Sequence, residues 1–175
     1  MSRWVIDPDH TVATFTVRHM LIADVHGHFS RIAGELLYDP ENPAATTLEA
    51  VVEVEGLCTG IAKRDEHLRS ADFFDVARFP HIVCRCTGVE LENGDVARMR
   101  GTLSLHGVTR SEVTEVQRFG PVRSNDGDTS IGLRLTARID REAYGMAWNV
   151  PLPGGAMVGT GVEIVVDIEA DLAEV

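Results

Sequence analysis

The strongest constraint on this chain is a period of two in its hydrophobicity. Between His10 and His19, Ala13, Phe15, Val17 and His19 fall on one face, and Thr14, Thr16 and Arg18 on the other. Leu48, Ala50, Val52 and Val54 oppose Glu49, Glu53 and Glu55. Across 96–106, Ala97, Met99, Leu103 and Leu105 oppose Arg98, Arg100, Thr102, Ser104 and His106. Across 131–139, Ile131, Leu133, Leu135, Ala137 and Ile139 oppose Arg134, Thr136 and Arg138. Near the end, Val162, Ile164, Val166 and Ile168 oppose Glu163, Asp167 and Glu169. Successive side chains of a strand point to opposite faces, so each stretch reads as a strand with one apolar and one wet face.

Three further stretches, 28–38, 81–91 and 112–119, alternate less cleanly. The total is about eight strands. Turn signals separate them at Pro40 to Pro43, Asn93-Gly94, Asn125-Asp126-Gly127 and Pro151 to Gly155. The short connections favour antiparallel neighbours over β-α-β units. Helix formers are concentrated only in GIAKRDEHLRSADFF, from Gly60 to Phe74, where a short helix is expected. No repeat or linker divides the chain, so 1–175 reads as one domain. Half-wet strands must close into a barrel or pack as a sandwich, and periodicity does not choose between them. Aromatic residues make up only 6 % of the chain, which leaves little to fill a wide interior and favours a barrel with a cavity.

Composition excludes several partners. The formal net charge is −11. A surface that acidic repels nucleic-acid phosphates and anionic lipid headgroups. No apolar run approaches the ~20 residues of a membrane span, so stable membrane insertion is not expected. The opening MSRWVIDPDH lacks the apolar core of a secretory signal, which suggests a cytoplasmic protein. Cys58, Cys84 and Cys86 are odd in number and read as reduced thiols.

Six segments together resemble the YceI-like family. They are WVIDPDHTVATFTVRHM at 4–20, VHGHFSRIAGEL at 25–36, KRDEHLRSADFFDVARFP at 63–80, GTLSLHGVT at 101–109, RIDREAYGM at 138–146 and VGTGVEIVVDIEA at 158–170. The piece at 63–80 is the most specific. The resemblance implies an all-β, eight-stranded antiparallel, lipocalin-like barrel, with the short helix closing or flanking one end. It implies an interior that takes a polyisoprenoid or related lipid, and it is compatible with a homodimer. The chain departs from the family pattern in three ways. It has Tyr144-Gly145 where a Phe-Gly pair is usual, it has GLCTG at 56–60 in place of a Ser-rich stretch, and it shows no export signal.

The inward row Phe15, Val17, Leu48, Val52, Val54, Leu103, Leu105, Leu133, Leu135 and Ile139 would line the barrel. From the residues alone an ordinary packed core reads as well, and the resemblance favours an open apolar cavity. In the helix segment, Arg64 and His67 are three apart and share a side. With His19 at the end of an inward face, they could meet a ligand's polar head, Asp65 accepting a hydrogen bond. Equally, Arg64 and Asp65 could be ion pairs tying the helix to the barrel. One of Phe73 and Phe74 would plug the end while the other faces the cavity. The chain carries seven histidines, but only His26 and His28 share a face at close spacing, so no metal site is expected. Cys84 and Cys86 read as small buried hydrophobes on the apolar side. No nucleophile–base–orienter set appears. GGAMVGTG at 154–161 precedes a strand, not a helix, so no dinucleotide loop is formed. The resulting expectation is non-catalytic binding of a long apolar lipid without cofactor. The alternatives are an enzyme on a similar ligand with His19 or His67 as acid/base, and a filled structural barrel.

Overall fold

The computed structural model describes residues 1–93 and 96–173. In chain order it contains β1 (Ser2–Ile6), β2 (Val12–His19), β3 (Ala23–Phe29), β4 (Ile32–Tyr38), β5 (Thr47–Glu53), β6 (Leu57–Cys58), α1 (Ala62–Arg69), β7 (His81–Asn93), β8 (Val96–Leu105), β9 (Val108–Arg123), β10 (Thr129–Asp140), β11 (Pro151–Leu152), β12 (Gly155–Ala156) and β13 (Val158–Leu172). The wall runs β1-β4-β5-β7-β8-β9-β10-β13 and closes where β13 pairs with β1. Every pairing is antiparallel, and the result is the expected eight-stranded barrel.

Closure depends on the length of β13. Its lower end takes β1, with Trp4 opposite Leu172 and Ile6 opposite Ala170. Higher up, the same edge takes β2, with Val12 opposite Asp167 and Val17 opposite Val162. β1 and β2 thus share one edge of β13, interrupted by the turn from Asp7 to Thr11. β3 pairs with β2 and β4 with β1, interrupted at Ser30 and Arg31. The stretch 28–38 is therefore two strands where the sequence suggests one. β1 is too short to show a period, yet it buries Trp4 and Ile6 and exposes Arg3 and Val5.

Several expectations need correction. β5 ends at Glu53, and Val54 begins a 3-10 turn, Val54–Gly56, in which it is buried without facing the lumen. The strand period gives the face of a residue but not where the strand stops. His106 leaves the β8 face altogether. It takes a left-handed conformation (φ 52°) in the β8–β9 turn and donates from Nδ1 to the Tyr144 carbonyl at 3.0 Å. The Asn93-Gly94 turn lies partly outside the described residues.

The lower end of the barrel is solid. Trp4, Ile6, Leu36, Met99, Ile131 and Leu133 fill it, each no more than 6 % exposed. At the other end, α1 and the segment that follows it lie over the opening. No described helix is long and apolar enough to cross a membrane.

Candidate ligand cavity

Above the solid end the inward rows leave an apolar cavity of about 330 Å³. Its volume is at the small end of the ~300–1,000 Å³ typical of ligand sites. β2 contributes Phe15, Val17 and His19, β5 Leu48 and Val52, β8 Leu103 and Leu105, and β10 Leu135 and Ile139. β13 adds Val162, Ile164, Val166 and Ile168. Phe15 fits its ring against the wall because its register partner on β3 is Gly27, where a Cβ would lie 2.3 Å from the ring. Leu133 shares the Leu135 face but sits deeper, in the filled end, and does not line the space.

The mouth is built from the helix segment and the chain between β10 and β13. Phe73 and Phe74 both face the cavity, with different duties. Phe73 belongs to the cap, 5.3 Å from Trp148 and 5.1 Å from the His67 ring, while Phe74 reaches inward to stand edge-on to Phe29 at 5.6 Å. His67 also meets Trp148 edge-on at 4.8 Å and donates from Nε2 to Asp72 Oδ2 at 2.8 Å. His67, Phe73 and Trp148 together form an aromatic gate whose partners come from two separate segments.

Arg64 lines the cavity, but its hydrogen bonds hold the helix. Nε donates to Thr59 Oγ1 at 2.7 Å and Nη2 to the Thr59 carbonyl at 2.9 Å. Asp65 is buried outside the cavity and accepts from the Thr59 amide at 2.8 Å and from the Thr59 hydroxyl. The tie between helix and barrel is therefore made through Thr59 and not through ion pairs of Arg64 and Asp65. Arg69 strengthens it by donating to the Glu55 and Leu57 carbonyls.

Arg141 and Trp148 are functional neighbours that the sequence did not single out. Arg141, 3 % exposed, donates from Nε to the Gly159 carbonyl at 2.8 Å, from Nη2 to Val158 at 3.1 Å, and from Nη1 to the carbonyls of Trp148 at 3.1 Å and of Met146. Burial lowers its pKa, opposed by Glu142 and Asp140. One guanidinium thus fixes the loop that carries Trp148 over the mouth. Asn149 braces the same loop, donating to the Val158 carbonyl at 2.7 Å and accepting the Val158 amide at 2.9 Å.

Cys84 and Cys86 both face the cavity with their sulfurs 3.4 Å apart. The Cys86 thiol is pushed above the ordinary thiol range, first by its contact with Cys84 and then by burial. His26 points away from the lumen and pairs with Thr16 Oγ1 at 3.0 Å. Among the described residues, one group has the spacing of a cation site: Asp7, His10 and Glu169, at the surface where β1 gives way to β2. The barrel closure that unites them is not visible in linear spacing.

A family model for the YceI-like domain matches residues 4–170. A UPF0312 protein of Vibrio cholerae is 30 % identical over 145 residues, covering 82 % of this chain and 77 % of the relative. The protein YceI of Salmonella newport is 27 % identical over 160 residues, covering 91 % and 81 %. Among solved structures, Burkholderia cenocepacia BcnA superposes with a TM-score of 0.83 at 15 % identity, covering 94 % of this chain and 98 % of that one. A polyisoprenoid-binding domain from Saccharophagus degradans superposes with a TM-score of 0.71 at 15 % identity, covering 99 % and 100 %.

Proposed function

This chain belongs to the YceI-like family, and from that premise we propose that it binds a long apolar lipid in the barrel and carries or sequesters it without chemical change. The observation that carries the reading is the apolar cavity, solid at one end and gated by His67, Phe73 and Trp148 at the other. The polyisoprenoid-binding domain of Saccharophagus degradans shares this fold, which supports a polyisoprenoid, a quinone-like molecule or a fatty-acyl derivative as ligand.

The energetics suit a prenyl chain. Each five-carbon unit contributes roughly 3 kcal/mol of gross burial, at about 0.8 kcal/mol per methylene. Ordering and immobilisation remove several kcal/mol in total. On the order of four buried units then reach micromolar affinity or better. The residues proposed to hold the chain are Phe15, Val17, Leu48, Val52, Leu103, Leu105, Leu135 and Ile139, with Phe74 beneath the gate.

Organic extraction of the purified protein followed by mass spectrometry tests the reading. A co-purified lipid recovered unchanged after incubation is the expected result. Turnover of that lipid would favour an enzyme using His19 or His67, and failure of any apolar probe to enter would favour a filled structural barrel. The same reading keeps the protein in the cytoplasm with reduced thiols, as a monomer or homodimer.

A further inference from the structure

β9 interrupts the apolar wall with a carboxylate. Its inward row places Glu112 and Thr114 in the lining. Tyr144, fully buried, donates its phenol proton to Glu112 Oε1 at 2.6 Å. Arg110 lies over the Tyr144 ring, 6.0 Å from its centre, and not on the carboxylate. Among the described residues, no second hydrogen bond or ion pair reaches Glu112. Its register partner on β8 is Gly101, so no side chain covers the carboxylate from that strand. A Cβ at Gly101 would lie 2.3 Å from the Arg85 carbonyl oxygen, so β7 and β8 approach too closely there to admit one.

A carboxylate facing an apolar space with one of its oxygens unpartnered is costly unless something else satisfies it. The phenol engages one oxygen and fixes the orientation of the group. Oε2 has no hydrogen-bond partner among the described residues, and the half-buried Glu112 side chain lines the cavity, so this oxygen can accept from a ligand that enters. We propose that Glu112 selects apolar molecules carrying a primary or secondary amine, whose N–H groups donate to the free carboxylate oxygen while the hydrocarbon lies along the apolar wall. The proposal rests on the lipid-cavity reading and adds the head group that the interior prefers.

A net charge of −11 attracts any cation to the surface, so charge alone must be separated from the N–H contact. The test is displacement of diphenylhexatriene, a neutral hydrocarbon probe, by decylamine, decanol and decyltrimethylammonium. The quaternary compound has the charge of the amine and no N–H. Decylamine should bind about tenfold or more tighter than the quaternary compound, the size of a charge-assisted hydrogen bond. Glu112→Gln should weaken decylamine by about tenfold or more and decanol by less. Equal affinity of decylamine and the quaternary compound in the unaltered protein would overturn the proposal, whether or not the variant folds. Diphenylhexatriene binding without amine preference sinks amine selection alone, whereas failure of diphenylhexatriene to bind sinks the cavity reading and this proposal together.

Discussion

Cys84 and Cys86 stand on one face of β7 with their sulfurs 3.4 Å apart, and both open onto the apolar lumen. Their environment sets their reactivity. The thiolate is the nucleophile; the Cys84–Cys86 contact raises Cys86 and lowers Cys84, burial works against ionising either, and the apolar lumen excludes a charged reagent from both. A charged alkylating agent such as iodoacetate should leave both unmodified in the folded protein, while an apolar maleimide reaches them slowly and is blocked by a bound lipid. Mass spectrometry of the modified protein reads the outcome. Rapid iodoacetate labelling of Cys86 would mean that water, and not an apolar space, lies against it.

Reductant provides a second check on the same pair. With three cysteines and no bond between the two that approach, the melting temperature should be nearly unchanged by reduction. A large drop would reveal a structural disulfide and move the protein to an oxidising compartment.

Leu135 faces the middle of the cavity and is 5 % exposed. Leu135→Trp should occupy ligand space while the solid end, built around Trp4, Ile131 and Leu133, keeps the barrel folded. Uptake of a fluorescent prenyl or fatty-acyl probe should fall, and circular dichroism should retain the strand signature. Unchanged uptake by a folded variant would place the ligand elsewhere. A strain cost of ~1–3 kcal/mol in stability is expected from overpacking.

The wall was legible in the sequence where its two faces differ sharply. Ile131 to Ile139 alternate without interruption and Val162 to Ile168 break the pattern only at Val165, and both form long strands of the barrel. The period of β9 is obscured because its inward row contains Glu112 and Thr114, so the residues that add polar groups to the cavity wall also mask the strand. Periodicity assigns a face and not a depth, which is why Leu133 and Leu135 looked alike although one fills the end and the other lines the space. Arg141 and Trp148 follow the last residues of β10, where no period exists. The role of Arg141 depends on carbonyls spread from Met146 to Gly159, which only the folded loop brings together.

The turn between β1 and β2 carries a pH response. His10 Nδ1 lies 2.7 Å from Asp7 Oδ2 and 3.8 Å from Glu169 Oε1. The hydrogen bond to Asp7, then its charge and that of Glu169, raise the His10 pKa above 6.5. The Asp7 carboxyl is lowered by the Asp9 amide and by His10. A raised histidine stabilises the fold below its unfolded pKa, and that contribution fades as pH rises through the folded value. The lowered Asp7 contributes above its unfolded value and is lost in more acidic solution. His10→Gln should therefore lower the melting temperature at pH ~5.5, between these limits, and match the unaltered protein at pH ~8.5. A deficit that persists at the higher pH would show that His10 acts by packing and not by charge.

The last prediction separates the duties of the helix side chains. Arg64 and Asp65 converge on Thr59, while His67 faces Phe73 and Trp148 at the gate. Hydrophobic burial has no direction, so a prenyl chain cannot fix its own depth. A polar group at the mouth can do so, and among these three residues His67 has the position for it. Asp65→Ala strips the Thr59 amide and hydroxyl of their acceptor and should cost ~1–3 kcal/mol of stability. Arg64→Ala should act in the same direction, and both variants should weaken headed and headless ligands alike by loosening the cap. His67→Ala should instead cost a headed ligand ~1.5–3 kcal/mol of affinity and leave a headless hydrocarbon of equal length less affected. Affinities for both ligands, measured with the melting temperature of each variant, separate the two roles. If His67→Ala weakened both ligands equally and lowered the melting temperature as Asp65→Ala does, His67 would be a third tie of the cap, and the depth of the ligand would be set inside the barrel.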